Sequence, residues 1–162
     1  AAADELASTN LFETFKKIGT IMMSVIGGSG GVLYGSAYLE AAKTLKTKEQ
    51  MNSSDLCTVL DAMLNGIMSR GNAKPGFKTM IDALAPAVEC YKACLEKQLP
   101  EGETLALVKK AALDGAQSTA AMEAVRGRAC YQANKGVGHL DPGAVTMSYQ
   151  IEVLMDFVAT KL

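Results

Sequence analysis

The chain has 162 residues, 49% hydrophobic and 20% charged, with a formal net charge of −1 and an isoelectric point near 5.9. This length and balance predict one domain, residues 1–162, with a core of its own, and exclude a disordered chain or a coiled coil. Near-neutrality excludes a global pull toward nucleic acid or an anionic membrane, while abundant alanine, nine methionines and no tryptophan favour helices over strands.

Residues 1–9 carry little pattern. Asn10 followed by Glu13 resembles a helix cap, and Phe15, Ile18, Met22 and Val25 then fall at helical spacing and define an apolar stripe. The run reaches Ile26 and turns through Gly27-Gly28-Ser29-Gly30-Gly31, and a second helix leaves at once through Leu33, Tyr34 and Ala37 to about Leu45. Four glycines around one serine permit positive φ and close backbone approach. A turn that opens a helix exposes N–H groups at the positive end of a dipole, a setting suited to phosphate. The turn matches neither the P-loop nor the dinucleotide fingerprint, and a plain helix–helix turn is the alternative reading. Residues 18–39 are uncharged and long enough to span a bilayer. Their six glycines and several hydroxyls, with a turn in the middle, point instead to a buried helix–turn–helix.

Residues 43–50 form a polar loop that ends near Asn52-Ser53-Ser54, a cap for a third helix carrying Leu56, Val59, Leu60, Met63 and Ile67 on one face. Residues 69–77 are a loop by their Gly and Pro punctuation. The fourth helix turns Met80, Leu84, Val88, Tyr91 and Leu95 inward, and Pro86 is expected to kink it. Pro100 and Gly102 precede a fifth helix over residues 103–124, whose later turns hold small residues such as Ala112, Gly115 and Ala116. After a loop over residues 125–140, Asp141-Pro142 forms an N-cap and first-turn pair for a last helix with Val145, Tyr149, Val153 and Met155. Six helices joined by short loops make an all-α antiparallel bundle or up-and-down barrel.

Cys57, Cys90, Cys94 and Cys130 have no disulfide-framework spacing, which predicts a reducing, cytoplasmic setting. Cys90 and Cys94 stand four apart on a helix but lack further ligands at zinc spacing, and read as buried thiols. Three loops stand outside the packing pattern, over residues 27–31, 70–79 and 126–143. In an up-and-down array they fall at one end, and bring helix N-termini together with Arg70, Lys74, Lys78, Arg126 and Arg128, a setting for a phosphate ligand.

Four segments carry a family resemblance: Gly27-Gly28-Ser29-Gly30-Gly31-Val32-Leu33-Tyr34-Gly35, Ser69-Arg70-Gly71-Asn72-Ala73-Lys74-Pro75-Gly76-Phe77-Lys78-Thr79-Met80, Arg126-Gly127-Arg128-Ala129 and Gly138-His139-Leu140-Asp141-Pro142-Gly143-Ala144. Together they resemble the nucleotide-binding L subunit of dihydroxyacetone kinase, in order and over essentially the whole chain. The resemblance implies an antiparallel helical barrel of eight helices, of which about six fall in this chain. It implies ADP or ATP at one end, held through magnesium, and phosphoryl transfer to dihydroxyacetone held on a separate K subunit or domain. A phosphotransferase-system phosphodonor subunit is a further implied partner; nucleic acid and membrane are not.

By the same resemblance Gly28, Ser29 and Gly30 hold phosphate, Arg128 supplies a guanidinium fork, and Gly71, Thr79 and Met80 border the base or ribose. Asp141, Pro142 and Gly143 line the site while capping the final helix. His139, the only histidine, is structural or at the rim. No catalytic side chain is implied, since positioning and charge neutralisation carry such a transfer. Two departures stand out. The family's serine stands one position later, where Gly30 sits. Its metal ligands are aspartates in a Gly-Asp-x-Asp-like loop, whereas Asp4 is the only aspartate before Asp55. An incomplete N-terminus is expected, with the magnesium ligands upstream of Ala1. The alternatives are a kinase for another substrate on the same barrel, or a regulatory or interaction protein without the metal site.

Overall fold

The computed structural model describes residues 10–162, so the weakly patterned residues 1–9 lie outside the described residues. Among these it is all-helical, with six α-helices and no strand. The helices form two compact units, Ala1–Asn72 and Ala73–Leu162.

In the first unit, α1 (Leu11–Ile21) starts where Asn10 Oδ1 accepts the Glu13 N–H at 2.9 Å, so the cap read from the sequence forms. The helix does not continue regularly to Ile26. Met22–Ile26 is a π-turn, and it leads through Gly27 into α2 (Gly28–Thr44). Here α1 and α2 approach through glycine. A Cβ at Gly19 would lie 2.9 Å from the Gly35 carbonyl oxygen, and one at Gly35 would lie 2.8 Å from the Gly19 carbonyl oxygen.

The third helix, α3 (Ser53–Gly71), opens with a full capping box: Asn52 Oδ1 accepts from Asp55 N–H at 2.9 Å and Asp55 Oδ2 accepts from Asn52 N–H at 3.1 Å. The Lys48 ammonium, 2.7 Å away, holds the Asp55 carboxyl below the usual carboxylate range. Gly66 packs beside Ser36, while Leu45 and Val59 share one cluster with Ala41. Thus α2 and α3 run antiparallel, and the start of α2 lies at the same end as the close of α3. Leu11, Phe15 and Met63, each partly buried, pack on that cluster.

The second unit packs α4 (Ile81–Glu96), α5 (Glu101–Ser118) and α6 (Pro142–Ala159). Tyr91, Leu84, Val88, Val108 and Met155 are fully buried in it. Helix α4 runs on through Pro86. Proline leaves the Asp82 carbonyl without its usual i+4 donor, and Gly115 of α5 closes on that carbonyl so tightly that a Cβ would lie 2.2 Å from it. The small residues of α5 thus set a backbone-to-backbone contact with α4. Gly115 meets the start of α4, Lys109 pairs with Asp156 near the end of α6 at 2.5 Å, and Gly143 at the start of α6 meets Met80. The starts of α4 and α6 therefore share one end with the close of α5.

Three local expectations are corrected. The fifth helix ends at Ser118 and passes into a 3-10 turn over Thr119–Ala121, where Met122 N–H bonds the Thr119 carbonyl three residues back and Thr119 bonds Lys78 and Asp141. Val25 is 75% exposed on the π-turn, since widening the helix there rotates it off the stripe. Tyr149 and Val153 of the apolar series in the last helix are 60% and 67% exposed, whereas Met155 of that series is buried together with Ala144, Met147 and Ile151.

Candidate functional site

The site residues expected from the sequence divide between the two units. In the first, Gly27 and Gly28 adopt φ of 64° and 61°, left-handed backbone that glycine alone takes at little cost. The first bond of α2 runs from Gly31 N–H to the Gly27 carbonyl at 3.0 Å. The N–H groups of Gly28, Ser29 and Gly30 precede that bond and have no acceptor within the helix. All three residues are exposed, and a Cβ placed at Gly28 or Gly30 meets nothing within 4 Å. The result is an open helix start, without a Cβ at Gly28 or Gly30 and with a hydroxyl at Ser29, which suits a phosphate. Gly31 serves packing: a Cβ there would lie 2.6 Å from the Met22 carbonyl oxygen. Gly71 ends α3 just before Asn72, a left-handed cap at φ 44°, and lies at the same end of this unit as the α2 start.

In the second unit residues 73–79 meet the segment that follows α5. Val125 N–H donates to the Phe77 carbonyl at 3.2 Å. Ahead of α4, buried Asp82 accepts from Gly76 N–H at 2.5 Å and from Thr79 N–H at 2.7 Å. The Thr79 hydroxyl in turn accepts from Ile81 N–H at 3.2 Å. Met80 follows directly, and Gly143 sits against it: a Cβ at Gly143 would lie 3.5 Å from Met80 N and 2.9 Å from Asp141 Oδ2. Asp141 caps α6 by accepting from Ala144 N–H at 2.8 Å, with Pro142 in the first turn. Burial first, and then the like charge of Asp82, push the Asp141 carboxyl above the usual carboxylate range, against the Ala144 bond and the Lys78 charge. Thr79, Met80, Asp141, Pro142 and Gly143 thus come together at the joint start of α4 and α6. Arg128 heads an exposed 3-10 turn, Arg128–Tyr131, after Gly127 at φ 77°.

Lys78 departs from its expected place among the surface cations. It is 3% exposed, and its Nζ donates to the main-chain carbonyls of Thr119 at 2.5 Å and His139 at 2.6 Å. His139 keeps an exposed ring and contributes its carbonyl, consistent with a structural or rim role. Sequence reasoning missed Asp82 and Thr119. The Thr79-x-x-Asp82 spacing, a capping-box pattern, was the available signal for Asp82. Nothing local marks Thr119.

Among the described residues, no group of three or more His, Cys, Asp or Glu side chains could hold a metal ion. The four cysteines form no disulfide, and Cys57 and Cys94 are buried; burial and the neighbouring Cys94 push the Cys90 thiol up. No helix among the described residues is long and apolar enough to cross a membrane.

Fold and geometry define an all-helical protein whose first unit offers an anion an open helix start, and whose second unit holds a joint of helix starts lined by an aspartate. The DAK2 domain family model matches residues 1–156. The chain is 32% identical over 149 residues to the ADP-binding subunit DhaL of the PEP-dependent dihydroxyacetone kinase of Escherichia coli, covering 92% of this chain and 71% of that protein. It is 35% identical over 154 residues to a Listeria innocua DhaL subunit, covering 95% and 72%. Mouse triokinase/FMN cyclase is 29% identical over 153 residues, covering 94% of this chain and 26% of the longer protein. The chain belongs to the DAK2 domain family.

Proposed function

We propose that this protein is the nucleotide-binding component of a dihydroxyacetone kinase, presenting ADP or ATP for phosphoryl transfer to dihydroxyacetone on a separate K subunit or domain. The observation that carries this reading is the open start of α2, where the N–H groups of Gly28, Ser29 and Gly30 precede the first helical bond and a Cβ at Gly28 or Gly30 meets nothing, in a chain similar to ADP-binding subunits. In the first unit those three residues would hold phosphate through N–H groups and the Ser29 hydroxyl; in the second, the Arg128 guanidinium offers a fork suited to phosphate oxygens. In the second unit Thr79 and Met80 would border the base or ribose, with Asp141, Pro142 and Gly143 lining the same joint, and in the first unit Gly71 is the residue the family resemblance assigns to that part of the ligand. The bound nucleotide supplies the transferable phosphoryl group. The chain's own contribution is binding and orientation, with no nucleophile of its own.

The relatives are named PEP-dependent, which supports a phosphotransferase-system phosphodonor as a further partner, in a cytoplasm consistent with cysteines that form no disulfide. A domain of a longer single-chain kinase is the second reading, favoured by the match to about a quarter of mouse triokinase/FMN cyclase.

Two substitutions in the α2 start test the reading by thermal melts with and without ADP. Gly28→Val places a β-branched residue at φ 61° and should abolish the ADP-induced rise in Tm, with some loss of intrinsic stability. Gly30→Ser has free space and no positive φ, restores a hydroxyl where the relatives' family has one, and should retain that rise. If both variants melt like the parent and keep its ADP shift, the turn is only a connector.

A further inference from the structure

Lys78 is a lysine in an uncommon place. Its backbone is left-handed at φ 59°, its side chain is buried, and its stem runs past Gly136, where a Cβ would lie 3.2 Å from Lys78 Cε. A buried ammonium is costly unless hydrogen-bonded, and Nζ meets that requirement with two carbonyls from residues 41 and 61 positions away, Thr119 and His139. Both belong to the frame of the 126–143 loop. Thr119, itself fully buried, accepts the Asp141 N–H on its hydroxyl at 2.9 Å, while the Gly138 N–H is tied to the Ala120 carbonyl at 2.8 Å. One residue on from Lys78, Thr79 and Met80 begin the other half of the joint.

We propose that Lys78 is a positioning residue of the candidate nucleotide site, an internal cation that locks the Asp141-Pro142-Gly143 start of α6 to the Thr79-Met80 approach to α4. The inference rests on the nucleotide reading above but assigns Lys78 a different part from a phosphate ligand. Buried and committed to two carbonyls, the ammonium acts on the ligand through the placement of both loops. A neutral side chain of similar length fills the same space and releases the Thr119 and His139 carbonyls from their common partner.

The test uses Lys78→Met in the protein purified at its full encoded length. Calorimetry with ADP is run over a series of salt concentrations at a temperature where circular dichroism shows the variant folded. Amide hydrogen exchange is followed at Gly138 and Asp141. If Lys78→Met does not fold, Lys78→Gln, neutral but still an N–H donor, takes its place. The expected result is an ADP Kd raised at least about tenfold, the scale of a lost charge-assisted hydrogen bond, with the parent's salt dependence and faster exchange at both amides. A flattened salt dependence would make Lys78 a direct phosphate ligand and overturn the proposal. Unchanged Kd or unchanged exchange overturns it as well. Failure of the parent to bind ADP would instead sink the nucleotide reading, and the exchange data would still decide whether Lys78 holds the loop.

Discussion

Asp141 shows how one residue serves packing and chemistry at once. Its carboxylate caps α6 at 2.8 Å from Ala144 N, yet burial and the nearby Asp82 raise its proton affinity. A carboxyl whose folded pKa lies above its unfolded value binds more proton in the native state across the window between the two. Its ionisation therefore subtracts stability as pH rises from the ordinary carboxylate pKa through the raised one, and acidification through that window removes the cost. Asn caps about as well as Asp and carries no charge. Asp141→Asn should be neutral to stabilising at pH 7, with its advantage shrinking as pH falls through the carboxylate range. Denaturant melts of both proteins between pH 4 and 7 check this; an advantage that stays constant over the range would show that the charge of Asp141 is not what the fold resists.

At the scale of elements, the contact of α4 with α5 is set by a proline facing a glycine. Pro86 leaves the Asp82 carbonyl without a helical donor, and Gly115 lets the α5 backbone close on it. Two effects compete in Gly115→Ala. Alanine in a helix interior gains roughly 0.5–1 kcal/mol over glycine. A Cβ placed 2.2 Å from the Asp82 oxygen and 2.7 Å from Pro86 Cγ forces a backbone shift, and overpacking of this kind costs about 1–3 kcal/mol. The clash wins, and Gly115→Ala should be destabilised. Gly102, early in α5, leaves open space where a Cβ would stand, with nothing within 4 Å, so Gly102→Ala should hold or raise stability. Chemical denaturation of the pair makes the comparison directly; a stabilised Gly115→Ala would mean that the two helices separate at no cost.

For the whole molecule, a net charge of −1 supplies no long-range attraction for a nucleoside diphosphate. Affinity must come from local groups, and the exposed guanidinium of Arg128 is the one assigned to phosphate. Arg128→Ala should weaken ADP binding roughly tenfold to a hundredfold, the range of a charge-assisted hydrogen bond. Because Arg128 stands on a short exposed turn, its loss should leave the melting temperature without ligand nearly unchanged. Calorimetry and a melt on the same preparation separate the two effects, and unchanged affinity would remove Arg128 from the site.

What the sequence determined by itself is what depends on near neighbours. The caps at Asn10, Asn52 and Asp141 were legible because each bonds an amide three residues on, and the glycine turn was legible because positive φ is a property of single residues. Six helices follow from those stops and from periodicity. The candidate site was legible as motifs, and so were the family and its nucleotide. Tertiary structure alone decided where Lys78 goes. A lysine among surface cations in the sequence becomes a buried pin, since its two acceptors lie 41 and 61 residues away and come together only when α4, α5 and α6 pack. The same holds for Val25, turned outward by a π-turn, and for Tyr149 and Val153, exposed while Met155 of the same apolar series is buried. Local bonding writes itself into sequence spacing, whereas the choice of buried face is made by whichever surfaces meet.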